Sequence, residues 1–212
     1  MGNGWAVLLV LGTLSGAVLS PLLTSVGMAQ LAARGDASAR LRLISTLAGG
    51  LTGAATVETA HRAEIWALAP ALVVWGCALV AAAACDAVTQ RIPTALVRQA
   101  TVAVAVLLTA GLALHRDWAG LVLSAVAALA GGLTMLMCWR LAGAGFGDVR
   151  LAVLGGLGLG HTSPANLVLG LVAFTVVTGV LAGIALARGG SRRTLIPLAP
   201  ALAAGFLVAA AV

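Results

Sequence analysis

Long apolar runs, broken by charged residues, glycines and prolines, follow one another along the whole chain. Most of them approach the roughly 20 residues that an α-helix needs to cross the hydrocarbon core of a membrane. No run alternates apolar and polar residues as a barrel strand does, so the pattern predicts an all-α, polytopic membrane helix bundle of about eight transmembrane helices. The eight runs lie at about 5–26, 43–60, 65–85, 95–114, 119–139, 151–163, 165–187 and 194–212.

Two of the eight runs are weaker than the others. The run at 43–60 is rich in glycine and threonine, and the run at 151–163 is short. Each of these two is expected either to cross the membrane or to form a re-entrant segment.

Composition agrees with a protein embedded in a lipid bilayer. Hydrophobic residues make up 61% of the 212 residues and charged residues only 8%, and the mean hydropathy is +1.11. A net charge of +6 would suggest nucleic-acid binding in a soluble protein. Here the basic residues occupy short loops between apolar runs, so they indicate membrane orientation, and no nucleic-acid partner is expected.

The arginines are distributed asymmetrically between alternate loops. Because short cytoplasmic loops are enriched in basic residues, the richer set of loops is predicted to be cytoplasmic and both termini to lie outside. The asymmetry also supports an even number of spans. The other loops hold two arginines and three of the six acids, whereas the arginine-rich loops hold Arg34, Arg40, Arg42, Arg91, Arg98, Arg140, Arg150, Arg188, Arg192 and Arg193.

Two aspartates lie at the predicted cytoplasmic edge of apolar runs. Asp86 follows four alanines and Cys85 at the expected end of a helix, where the helix dipole disfavours an anion. Asp148 follows alternating glycines and precedes an apolar run, a position that suits a helix N-cap. Because charge near hydrocarbon is costly, both aspartates are candidates for a functional role.

Two carboxylates at one membrane depth are the minimum that aspartic proteolysis needs. One activates a water molecule while the other protonates or polarises the scissile carbonyl, and the two share a proton. No metal or cofactor is required. The helix dipoles expected from the sequence would make Asp148 the base and Asp86 the acid.

Three motifs together resemble those of the type IV prepilin peptidases, a family of G-x-G-D intramembrane aspartyl proteases. The stretch D-A-V-T-Q-R-I-P at 86–93 resembles the first-aspartate motif, and G-F-G-D-V-R-L at 145–151 resembles the second. The stretch I-P-L-A-P at 196–200 resembles the late Pro-x-x-Pro segment. The resemblance makes Asp86 and Asp148 the catalytic pair, and the motif residues expected near the substrate are Gly145, Phe146, Gly147, Ile92, Pro93, Pro197 and Pro200.

This resemblance implies an endopeptidase of the bacterial inner membrane. Its substrates would be prepilin or pseudopilin precursors, cut at the cytoplasmic face between a basic leader and an apolar helix. It divides the chain into an N-terminal transmembrane region with a short cytoplasmic loop (1–64) and a catalytic membrane domain (65–212). Many family members carry a zinc-binding insertion with C-x-x-C pairs and also methylate the new N-terminus. The segment 27–42 is short and contains no cysteine, so methyl transfer is predicted to be absent.

Two other functions remain open from the sequence. A small ion- or proton-coupled transporter could use two membrane-edge aspartates as a cation site or a proton relay. A non-catalytic membrane component of a secretion system would retain the aspartates without using them.

Overall fold

A computed structural model describes residues 2–31, 39–62, 64–160, 162–189 and 196–212. In these ranges the chain forms eight α-helices and one short 3₁₀ helix at Trp66–Leu68, with no β-strand. The α-helices are α1 (Gly2–Gln30), α2 (Ala39–Arg62), α3 (Ala69–Thr89), α4 (Thr94–Leu114), α5 (Trp118–Ala142), α6 (Phe146–Leu157), α7 (Pro164–Ala187) and α8 (Ala199–Ala211).

Five of these helices are long and apolar enough to cross a membrane, namely α1, α3, α4, α5 and α7. The predicted all-helical membrane class is therefore confirmed, whereas a count of eight spans is not. Helices α6 and α8 have 12 and 13 residues, so each covers only about 20 Å at 1.5 Å per residue. Helix α2 is long enough and unbroken, but it falls outside the five because it is less apolar.

Helix α3 is the central element of the bundle. Of its most apolar window, 72% is buried, compared with 6% for α7. It packs against α1, α2, α4, α6 and α8, and the side chains of Trp75 and Leu79 are fully buried. Small side chains allow such close packing in a bilayer, where water does not drive helices together.

Glycines bring α1 and α2 into backbone contact. A methyl group added at Gly16 would collide with the carbonyl of Gly49, and one added at Gly53 would collide with the carbonyl of Gly12. Because α1 and α2 also pack on α3, the N-terminal region forms one side of the bundle.

Replacing Gly53 with Ala should destabilise this contact, because the added methyl group has no space against α1. Overpacking of this kind costs about 1–3 kcal/mol, so the thermal midpoint in detergent should fall. Gly50→Ala is the matched control, since its methyl group would meet its nearest atoms at 3.6 Å, an ordinary contact distance. Equal stability of the two variants would contradict the close approach.

Candidate active site

Asp86 lies in the last turn of α3, which extends past the predicted end of the run at residue 85 to Thr89. Its side chain is only 6% exposed. The carboxylate Oδ2 accepts a hydrogen bond of 3.0 Å from the backbone N–H of Ala199, the first residue of α8. Asp86 thus lies at the C-terminal end of a helix, as the sequence predicts, and the N-terminus of α8, which faces the carboxylate, offsets the unfavourable dipole of α3.

The corner after Asp86 is fixed by a left-handed residue and a proline. Gln90 ends α3 with a φ of 52°, and the fully buried Pro93 is the N-cap residue of α4. Gln30, at the end of α1, accepts a hydrogen bond of 2.9 Å from the backbone N–H of Leu96. Helix α1 thereby supplies a hydrogen-bond acceptor to the first turn of α4.

Asp148 is held by the start of its own helix. It is the third residue of α6 rather than the N-cap, which is Gly145. Its Oδ2 accepts a hydrogen bond of 3.0 Å from the backbone N–H of Gly145, and the side chain is only 7% exposed. The carboxylate of a residue at this position commonly reaches back to the N-cap in this way.

The alternating glycines form a tight connection between α5 and α6. Gly143 ends α5 in the left-handed conformation, with a φ of 74°, which glycine adopts without strain. Gly147 lies inside α6 and faces Ile92 of the corner: a methyl group added at Gly147 would lie 3.0 Å from Cβ of Ile92. The absent side chain of Gly147 thus lets the two aspartate motifs touch.

Trp75 fixes the position of α6 relative to α3. Its indole Nε1–H donates to the carbonyl oxygens of Leu154 at 2.9 Å and Gly155 at 3.2 Å. Gly158 lies so close to the indole ring that a methyl group there would collide with it. Since Asp86 belongs to α3 and Asp148 to α6, these contacts also set the relative depth of the two carboxylates.

The two aspartates line one cavity of about 920 Å³. It is bordered by α1, α3, α4, α5, α6, Phe174 of α7 and the segment before α8, and exposed residues at its rim include Gln30, Gln90 and Arg91. The cavity brings together most of the residues that the motifs selected. Those lining it are Asp86, Asp148, Gly145, Gly147, Ile92, Pro93 and Pro197.

Two predicted site residues, Phe146 and Pro200, do not line the cavity. Phe146 is 46% exposed and packs edge to face against Trp139, with ring centroids 5.5 Å apart. The guanidinium carbon of Arg150 lies 5.1 Å from the same ring, so Phe146 faces away from the aspartates. Pro200 lies in the first turn of α8, where its fixed φ suits a helix start.

Two groups at the site were not identified from the sequence. The Ala199 N–H that binds Asp86 belongs to the backbone, so no side-chain type indicates it. Gln30 could have been singled out as a polar residue shortly after the first apolar run, but its hydrogen-bond partner lies 66 residues further along the chain.

The surroundings of Asp148 stabilise the protonated form of its carboxyl group relative to the same group in water. Asp148 lies outside the five helices long enough to cross a membrane. Its pKa is raised to about 6, first by burial and then by the negative charge of Asp86, against a lowering by the hydrogen bond from Gly145. Mutual repulsion of two nearby carboxylates is the condition under which a pair shares one proton.

Within the described part of the chain, no three His, Cys, Asp or Glu side chains are grouped so that they could hold a metal ion. No protein-family model, no curated protein and no solved structure matches the chain. The site therefore has to be interpreted from its own residues.

Asp148→Asn should stabilise the folded protein at alkaline pH. The folded pKa of about 6 exceeds the ordinary value of 3.8, so ionisation of Asp148 costs folding free energy, and the cost reaches its full size above pH 6. Asn stays neutral and can still accept the Gly145 hydrogen bond. The thermal midpoint of Asp148→Asn in detergent should exceed that of the wild type by a few degrees at pH 8 and by less at pH 5.

Asp148→Ala is the control for this measurement. It should show the same pH trend relative to the wild type but be less stable than Asp148→Asn, because the Gly145 N–H loses its acceptor. A stability difference between Asp148→Asn and the wild type that does not change with pH would contradict the raised pKa.

Proposed function

We propose that this protein is a membrane aspartic endopeptidase of the prepilin peptidase type. The observation that carries the proposal is the pair of buried carboxylates, Asp86 and Asp148, which lie on separate helices and line one cavity with polar, exposed residues at its rim. The packing of the bundle does not explain why both acids are present, because burying an ionised carboxylate among apolar helices lowers the stability of the fold. A shared catalytic role accounts for their cost.

The mechanism uses the pair as a unit. A water molecule between the carboxylates loses a proton to the ionised member and attacks the scissile carbonyl, while the protonated member donates to the carbonyl oxygen. The backbone N–H of Gly145 donates to Asp148, and that of Ala199 donates to Asp86. Both donors belong to helix N-termini, so the dipoles do not assign acid and base, and a pH profile would report the pair.

The substrate we propose is a prepilin or pseudopilin precursor, cut at the cytoplasmic face between its basic leader and its apolar helix. Support for this substrate class comes from the three motifs, most of whose expected site residues line one cavity. The rim bears exposed polar side chains, whereas the helices around it are apolar enough to lie in a bilayer. In a substrate whose polar leader stays at the rim and whose apolar helix stays in the bilayer, the bond that joins the two segments would lie in this cavity.

Cleavage of a prepilin-like peptide by the purified protein tests this function directly. The wild type in detergent should shorten the peptide by the mass of its leader, and Asp86→Ala and Asp148→Ala should each reduce the rate by at least about 10³-fold, as loss of a catalytic group does. Glu58→Ala is the control, because Glu58 pairs with Arg62 near the end of α2. Failure of the wild type to cleave, combined with uptake of protons or cations by vesicles that contain it, would favour a transporter instead.

Gly147→Ala should slow cleavage at least about tenfold without removing the protein from the membrane. Its methyl group would press on Ile92 at 3.0 Å and separate the two aspartate motifs. Adding Ile92→Gly should restore part of the activity, because it removes the Cβ atom on which the new methyl group presses. Rates for single and double variants, measured at equal membrane levels, check this; a double variant no faster than Gly147→Ala would assign Gly147 to substrate contact rather than to packing.

A further inference from the structure

Helix α7 is attached to the bundle along one side only. Among the described elements, it approaches α8 alone within 8 Å between Cα atoms, and α5 and α7 do not meet at that distance. Gly170 is its one buried residue, and a methyl group there would lie 2.6 Å from the carbonyl oxygen of Gly205 in α8. The side of the bundle between α5 and α7 is therefore open toward the bilayer.

A second cavity of about 230 Å³ lies behind this opening. Its walls come from α5, α6, α7 and α8 and are almost entirely apolar, with Leu167, Leu171, Leu202 and Phe206 among the lining residues. A cavity of this composition suits an aliphatic or aromatic group from the membrane.

The apolar cavity adjoins the cavity that contains the aspartates. Thr134 and Met135 of α5 and Phe174 of α7 line both. A path thus leads from the lipid side, past these three residues, to Asp86 and Asp148, and its polarity rises along the way.

The opposite side of the site is closed. A methyl group added at Gly27 of α1 would lie 2.8 Å from Sγ of Cys85 and 3.1 Å from Cγ of Pro93. Helix α1 therefore packs tightly behind both the first aspartate and the proline corner, and leaves no space for a peptide there.

We propose that the apolar segment of the substrate enters from the bilayer between α5 and α7 and passes Thr134, Met135 and Phe174 to place the scissile bond at the aspartates. This inference rests on the proposed proteolytic function. A peptide that is polar at the cleaved bond and apolar beyond it matches this path, which is polar at the aspartates and apolar near the bilayer. A lipid acyl chain would match only the apolar cavity.

A tryptophan at Leu171 tests the route, because Leu171 lines the apolar cavity and not the cavity of the aspartates, and the larger side chain would narrow the entry. For a full-length precursor in lipid vesicles, Leu171→Trp should lower kcat/KM at least about tenfold, while cleavage of a short soluble peptide that spans only the scissile bond should stay within about twofold of the wild type. Val172→Trp, at the adjacent, 52% exposed position that lines neither cavity, should leave both substrates unaffected.

The outcomes separate the route from the function. Normal cleavage of the full-length precursor by Leu171→Trp, or an equal loss for both substrates, would overturn the route and leave the protease proposal standing. A wild type that cleaves neither substrate would overturn both.

Photo-crosslinking supplies a readout that does not depend on turnover. A photoreactive residue at Phe174, in an Asp86→Asn background that keeps the precursor intact, should attach to the apolar segment of the precursor. The same group at Val172, which is 52% exposed on α7, should attach mainly to lipid. Lipid adducts alone at Phe174 would identify an acyl chain as the occupant and contradict the proposal.

Discussion

The hydrogen bond from Ala199 N–H to the Asp86 carboxylate is the contact on which the arrangement of the site depends. An anion in an apolar bundle is tolerated only with a donor or a counter-charge close by, and within the described residues neither aspartate forms a salt bridge. The free N–H groups at the start of a helix are the donors that such a bundle can offer. Asp86 therefore fixes where α8 begins, and α8 in turn is the one described helix that α7 packs against.

Close packing through small residues supplies the precision that this arrangement needs. In a bilayer, helix association depends on van der Waals contact and on hydrogen bonds between helices rather than on the exclusion of water. Gly147 against Ile92 joins the two aspartate motifs, and the Trp75 indole bonded to the Leu154 and Gly155 carbonyls fixes α6 against α3. Displacement along either contact would separate the carboxylates.

The sequence predicted the helices well, because the length of an apolar run and the position of its breaks are local properties. The fourth run, at 95–114, matches α4 within one residue. The number of spans was predicted less well, since α6 and α8 are shorter than their runs and α2 is only weakly apolar. The location of the aspartates at one cavity agrees with the motif pattern. The donor to Asp86 could not be predicted, because it belongs to a helix distant in sequence. The packing of Phe146 on Trp139 could not be predicted either, because it depends on how α5 and α6 are arranged around the turn between them.

The two carboxylates differ in what holds them. Under the proposed function this difference matters, because a substrate helix would have to reach both of them. Asp148 receives its hydrogen bond from Gly145, three residues away in the same helix, so the bond persists as long as α6 does. Asp86 receives its hydrogen bond from α8, 113 residues further along the chain, and α8 carries α7, which is attached to the bundle along one side only. Any outward movement of α7 that draws α8 with it would alter the hydrogen bonding of Asp86 and leave that of Asp148 unchanged. Both carboxylates thus accept a hydrogen bond from the start of a helix, but only that of Asp86 would change when α7 and α8 move. Helix dipoles alone would not produce this difference between the two acids.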